Sequence, residues 1–151
     1  SEMCIRDRNK IQMSSWTCFS FTSLGMMNLL KSILFVGLGG AFGSVARFLI
    51  SYGIGKYYSQ PFPFATFLTN IIGCFLIGTL YGYSIKNGLG NTYFNFLLIT
   101  GFCGGFTTFS SFSYENFNLI QQQNYITPII YIFLSVLIGL LFTMIGFRLT
   151  K

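Results

Sequence analysis

Uncharged residues run in long blocks along this chain, and the few charged ones fall between the blocks or at the chain ends. Residues 57–85, 87–114 and 116–147 contain no Asp, Glu, Lys or Arg, and Lys31 and Arg47 enclose a shorter fourth block. Each of the three long blocks exceeds the roughly 20 apolar residues that a membrane-spanning helix needs. Polar clusters punctuate them: Lys56–Pro63 with its tyrosines and prolines, Lys86–Thr92 with two glycines, and Gln121–Asn124. The pattern predicts an all-α integral membrane protein with four transmembrane helices, at about 32–52, 64–83, 93–119 and 128–147. Residues 1–26 break the pattern. Glu2, Arg6, Asp7, Arg8 and Lys10 crowd the first ten positions, and the residues after Lys10 lack the continuous apolar core of a secretory signal. This stretch is expected to be a disordered or non-native extension, with residues 27–151 forming the four-helix domain.

Composition sharpens the assignment. The chain has 151 residues, 52% hydrophobic and only 8% charged, where a soluble domain carries roughly 25% charged residues. Lipid is therefore the expected surrounding partner. A net charge of +6 could point to nucleic acid, but no basic cluster exists, and Arg6, Arg8, Lys10, Arg148 and Lys151 lie at the two ends. No nucleic-acid partner is expected. Histidine is absent, which removes the commonest metal ligand and general base. Cys4, Cys18, Cys74 and Cys103 show no CxxC spacing, so neither a disulfide framework nor a zinc site is expected. No nucleophile–base pair is available either, and the chain does not read as an enzyme.

Chemistry concentrates in Thr100–Glu115, where three glycines meet a run of hydroxyls and aromatics. The Gly104–Gly105 pair is expected to interrupt the third helix and free backbone carbonyls. Irregular backbone at membrane depth is tolerated only when it is buried in protein or lines a cavity. Carbonyls with no carboxylate beside them suit a monovalent cation. Beyond the break, Phe109 and Phe112 are three residues apart and project to one side. An aromatic ring has a positive edge, so two such edges can face a small anion. Thr108, Ser110 and Ser111 add hydroxyl donors.

Elsewhere the polar residues admit two readings. Thr66 and Asn70 share one face of the second helix, and the Asn70 amide either bonds a neighbouring helix or points into a permeation path. Tyr131, Ser135 and Thr143 either bond back to their own helix or line the other wall of a pore. Arg47 either snorkels to the interface or gives positive potential to an aqueous vestibule. Gly39-xxx-Gly43 and Gly78-xxx-Gly82 mark close helix contacts. Counted from Met27, Lys31, Lys86, Arg148 and Lys151 fall on one side of the membrane and Arg47 and Lys56 on the other. So weak a bias permits both orientations, and two oppositely inserted copies could pair through their small-residue faces.

Three motifs in this order carry a resemblance: Gly39-Gly-Ala-Phe-Gly-Ser-Val-Ala-Arg47, Thr66-xxx-Asn70-Ile-Ile-Gly73 and Gly101-Phe-Cys-Gly-Gly-Phe-Thr-Thr-Phe-Ser-Ser-Phe112. From Met27 onward the chain resembles the Fluc/CrcB family of fluoride channels. That resemblance implies a passive fluoride-selective channel in the bacterial plasma (inner) membrane, built as an antiparallel, dual-topology homodimer. It also implies a structural sodium ion at the dimer interface, held by the carbonyls of Gly104 and Thr107. Fluoride would meet Asn70, Phe109 and Phe112 in the pore, with Thr108, Ser111, Tyr131 and Ser135. Arg47 would match the vestibule arginine, and Thr66 and Glu115 would belong to the polar track beside the pore. Ser111 stands where threonine is common, so the hydroxyl is kept, and Gly139 leaves a gap in the hydroxyl row of the fourth helix. The rival reading is a small dual-topology, proton-coupled multidrug transporter. That mechanism needs a mid-membrane carboxylate, whereas Glu115, the one acid after Met27, lies toward the far end of the third span.

Overall fold

A computed structural model of the chain describes residues 26–57, 62–89 and 93–151. Among them, every regular element is helical. Helix α1 (Met26–Tyr57) is followed by α2 (Phe64–Lys86). The third span opens as a π-helix (Asn95–Cys103), passes into a single turn, α3 (Gly104–Phe106), and resumes as α4 (Phe109–Gln121). Helix α5 (Ile126–Thr150) closes the chain. Among the described residues, four segments are long and apolar enough to cross a membrane: Asn28–Tyr57, Phe64–Lys86, Asn95–Gln121 and Ile126–Thr150. At 1.5 Å per residue, α2 is about 35 Å long, enough for a hydrocarbon layer of roughly 30 Å. The chain is a multi-pass membrane protein.

The helices outrun the expected spans, most clearly in α1, which extends in both directions beyond residues 32–52. The uncharged block marks the part of a helix that sits in hydrocarbon. Backbone hydrogen bonding does not stop at that edge, so Lys31, Lys56 and Lys86 ride on helical turns outside those blocks. The extension expected at residues 1–26 lies outside the described residues, apart from the helical backbone of Met26. Helix ends are closed by specific turns. After α2, Gly88 takes a left-handed φ of 65°, its N–H bonds Ile85 O (3.2 Å), and Leu89 N bonds Ser84 O (2.8 Å). This is the double hydrogen bond that caps helix C-termini, at the position where glycine is preferred.

Glycine decides how the helices pair. Helix α1 lies along the π-helix and α3, running the same way, while α2 lies along α5. A Cβ on Gly39 would fall on the Leu97 carbonyl oxygen, and one on Gly43 on the Phe102 carbonyl. Across the second pair, a Cβ on Gly78 would strike the Thr143 carbonyl, and one on Gly146 the Phe75 carbonyl. Backbone-to-backbone approach of this kind maximises dispersion contact where lipid offers no hydrophobic drive. The small-residue faces are therefore filled inside one chain. This corrects the expectation that two copies pair through them, because Gly39, Gly43, Gly78 and Gly82 already carry a neighbouring helix.

Outside these seams the helices present apolar side chains. Leu34, Phe42 and Phe48 of α1 and Phe133, Leu140 and Leu149 of α5 are all exposed. In water such a surface would aggregate; against acyl chains it is the ordinary exterior. The core is correspondingly small and centres on Tyr131, Thr69, Cys103 and Phe106.

Packing this tight makes a direct prediction. Gly78→Ala forces α2 off α5 and is expected to cost about 1–3 kcal/mol, read as a lower unfolding temperature of the detergent-solubilised protein. Gly53→Ala, where nothing lies within 4 Å, should leave that temperature unchanged or slightly raised.

Candidate functional site

The site forms where the third span leaves helical geometry. Gly104 itself is helical (φ −64°, ψ −38°). Thr107 (φ −82°, ψ 154°) and Thr108 (φ −148°, ψ 117°) are the extended residues. The expectation that the glycine pair is the point of departure is thus displaced to the two threonines. β-Branched side chains favour extended backbone, and Gly105 has another task. A Cβ there would run into the backbone of Gly40 on α1.

Extended backbone in a membrane needs partners, and Asn70 provides them. The Thr108 N–H, which a continuous helix would direct to the Gly104 carbonyl, donates instead to Asn70 Oδ1 at 2.9 Å. Asn70 Nδ2 donates to the Thr108 carbonyl at 3.3 Å. One carboxamide thus stands in for a strand and holds both polar groups of a single residue. Thr108 then opens α4 as its N-cap: its Oγ1 accepts from the Ser111 N–H at 3.3 Å and lies 3.2 Å from Ser110 Oγ. N-caps of this type contribute about 1 kcal/mol. Beneath the break, a Cβ on Gly73 would meet the Thr107 side chain, so glycine there lets α2 come close enough for Asn70 to reach.

Helix α4 then presents its rings. Phe109 and Phe112 have centroids 5.9 Å apart, tilted at 37°. Phe109 is 79% exposed in the single chain, whereas Phe112 is half-buried, with Tyr131 edge-on at 4.9 Å. Tyr131 is fully buried, so it stands behind the ring pair instead of on a pore surface. Its hydroxyl donates to Glu115 Oε2 at 3.0 Å, and Thr66 Oγ1 donates to Glu115 Oε1. Three candidates from three spans thus form one hydrogen-bonded group that satisfies both carboxylate oxygens.

Ser135 lies one turn beyond Tyr131 on α5. Its Oγ is buried and makes no hydrogen bond among the described residues, an uncommon state for a buried hydroxyl. Thr143, by contrast, donates back to the Gly139 carbonyl at 3.0 Å, so the hydroxyl row ends at Ser135. Arg47 Nε donates to the Gly105 carbonyl at 3.3 Å, and α1 continues past it to Tyr57. The guanidinium thus reaches the C-terminal end of α3, where the helix dipole is negative. Simple snorkelling does not describe it.

These parts surround a cavity of about 600 Å³ whose wall includes Asn70, Thr108, Phe109, Phe112 and Ser135. Gly104 and Thr107 also border it, which brings both candidate sodium ligands beside the candidate anion site. Amide, hydroxyl and ring-edge donors without a cation suit a small anion held loosely. No group of three or more His, Cys, Asp or Glu able to hold a metal ion occurs among the described residues. Sequence reasoning overlooked three neighbours. Phe62 and Phe67 pack against Tyr131 (5.2 and 6.3 Å). Asn116 Nδ2 donates to the Phe112 carbonyl at 2.7 Å. The four-residue spacing of Phe112 and Asn116, which favours a back-bond in a helix, was the one available signal.

Comparison with known proteins gives the family. A family model described as "CrcB-like protein, Camphor Resistance (CrcB)" matches residues 34–147. A relative from Flavobacterium psychrophilum, named fluoride-specific ion channel FluC, is 48% identical over 122 residues, covering 81% of this chain and 98% of the relative. A relative of the same name from Azobacteroides pseudotrichonymphae is 46% identical, over 82% of this chain and 98% of the relative. Another from Leptospira interrogans is 43% identical, over 83% and 98%. With a match across most of its length and this degree of identity to full-length relatives, the chain belongs to the CrcB family.

Proposed function

We propose that this chain is a passive, fluoride-selective anion channel that lets fluoride leave the cytoplasm across the bacterial plasma (inner) membrane. The observation that carries the reading is the 48% identity to a protein named fluoride-specific ion channel, over 98% of that protein's length. The geometry supports it. Fluoride is small and strongly hydrated, so a pore must replace its water with other donors. Asn70 Nδ2 carries two hydrogens; one is given to Thr108, which leaves a second for an anion in the cavity that Asn70 lines. Thr108, Ser135, Phe109 and Phe112, which line the same cavity, extend that series, while the Ser111 hydroxyl stands behind them and accepts from Thr108 Oγ1. Selectivity then comes from donor number and cavity shape, with no charged filter. An inside-negative potential favours anion exit.

Glu115 lies behind Phe112, its charge shared with Thr66 and Tyr131. In this reading Thr66 and Glu115 belong to the polar track beside the pore, with Tyr131 buried behind them, and Arg47 adds positive potential at the vestibule. Nothing in the comparisons favours the multidrug reading, and Glu115 bonds two hydroxyls of its own chain.

The channel is proposed to work as an antiparallel, dual-topology homodimer with a structural sodium ion between the subunits. Phe109 is fully placed by one chain yet 79% exposed, as expected of a ring that completes a pore against a second copy. The donor set fits sodium: the Thr108 N–H is diverted to Asn70, which leaves the Gly104 carbonyl without its helical partner, and Thr107 is extended. These carbonyls would hold the ion, which when bound supplies a positive charge that joins two interrupted helices. Chain interruption at Thr107–Thr108 is what makes such ligands available.

Proteoliposomes loaded with potassium fluoride and given a potassium shunt should release fluoride within seconds and retain chloride; no release, or equal release of both, would sink the channel reading. Asn70→Asp keeps the acceptor for the Thr108 N–H and loses the donor, and Phe109→Ile removes a ring edge. Each is expected to slow efflux by about two orders of magnitude, ~2.7 kcal/mol of barrier, while the elution volume on size exclusion stays that of the native protein. Replacing sodium with N-methylglucamine should shift that elution toward the monomer; an unchanged dimer in sodium-free buffer would refute the sodium assignment.

A further inference from the structure

The ring pair proposed to meet fluoride is not freestanding. Phe112 packs edge-on against Tyr131 (4.9 Å, 60°), and Tyr131 packs edge-on against Phe62 (5.2 Å, 70°). Phe67 joins the same cluster, 5.6 Å from Phe62 and 6.3 Å from Tyr131. Tyr131 has no exposed surface, and its hydroxyl is fixed on Glu115. A ring anchored at its tip and packed among other rings shifts toward whichever neighbour is missing. Besides Phe112, Phe62 and Phe67 are the rings packed against Tyr131 among the described residues.

Phe62 is itself held by the backbone. The Phe64 N–H donates to the Phe62 carbonyl at 2.8 Å, and the residue between them, Pro63, has φ −78° and ψ 69°. These values describe an inverse γ-turn, here with a proline whose ring fixes φ. The turn sits immediately before α2, on the same helix as Thr66 and Asn70. It fixes the backbone from which the Phe62 ring reaches Tyr131.

We propose that Phe62, fixed by the Pro63 turn, is a positioning residue for permeation: through Tyr131 it sets the place of the Phe112 ring edge that faces the anion. The inference rests on the fluoride-channel reading and adds to it a residue outside the cavity. A displaced Phe112 would meet fluoride at the wrong distance in every channel that forms. A fault confined to folding would instead reduce how many channels form.

Single-channel recording in planar bilayers separates these two effects. Phe62→Leu removes the ring and keeps an apolar side chain; its unitary fluoride current should fall about five-fold, the effect of one lost edge-to-face contact. Phe62→Tyr keeps the ring and should retain the native unitary current. Phe75→Leu, which breaks a ring pair with Phe142 (6.4 Å) elsewhere in the bundle, should also retain it, whatever happens to channel number. An unchanged unitary current in Phe62→Leu, or an equal drop in Phe75→Leu, overturns the inference while leaving the channel reading intact. Absence of fluoride current in the native protein overturns both. Should Phe62→Leu yield no channels, Phe62→Met takes its place with the same expected drop.

Discussion

One carboxamide holds this site together. In a bilayer each unpaired N–H or C=O costs several kcal/mol, so a helix cannot open its backbone at that depth without a substitute partner. Asn70 supplies it by accepting from the N–H and donating to the carbonyl of Thr108. Much else depends on that pair of bonds. Gly73 must be small so that α2 can approach Thr107. Thr108 must be extended, and from there its hydroxyl can start α4 as a cap. Helix α4 then carries Phe109, Phe112 and Glu115 at fixed rotations relative to α2, because the residue that begins it is bonded to α2.

The same economy bears on the two ions of the proposed function. In the proposed reading the carbonyls of Gly104 and Thr107 would serve a cation, and the amide, hydroxyl and ring-edge donors beside them an anion. The two are neighbours in one cavity wall. They stay distinct because the peptide groups of a helix all point one way, and the extended pair Thr107–Thr108 is where that direction is given up. Arg47 reinforces the polarity by placing its charge on the Gly105 carbonyl, at the end of the helical segment that comes before the break.

Behind the rings the construction changes from polar to apolar. Thr66, Glu115 and Tyr131 satisfy one another, and a cluster of Phe62, Phe67 and Phe112 encloses the tyrosine. A carboxylate at this depth is tolerated because two hydroxyls meet its oxygens, in keeping with the rule that intramembrane charges are paired. The enclosing rings keep the Tyr131 hydroxyl in place.

Much of this was legible in the chain itself. Long uncharged blocks require membrane spans, since nothing else in water could bury them, and their number and order are set by where Lys56, Lys86, Glu115 and Arg148 stand. The motif around Gly101–Phe112 identifies the segment that matters. The exact point of departure was not legible: glycine's reputation as a helix breaker pointed to Gly104–Gly105, yet the backbone opens at Thr107. Gly105 is needed for contact with Gly40, a requirement that exists only once α1 is packed. Likewise Tyr131 reads as a pore donor until the packed helices bury it, and Phe62 carries no local signal at all. Local pattern determines which stretches sit in lipid, because hydrophobicity is a property of the residue. Which polar group meets which depends on distances between residues dozens of positions apart, such as Asn70 and Thr108, and those exist only in the packed bundle.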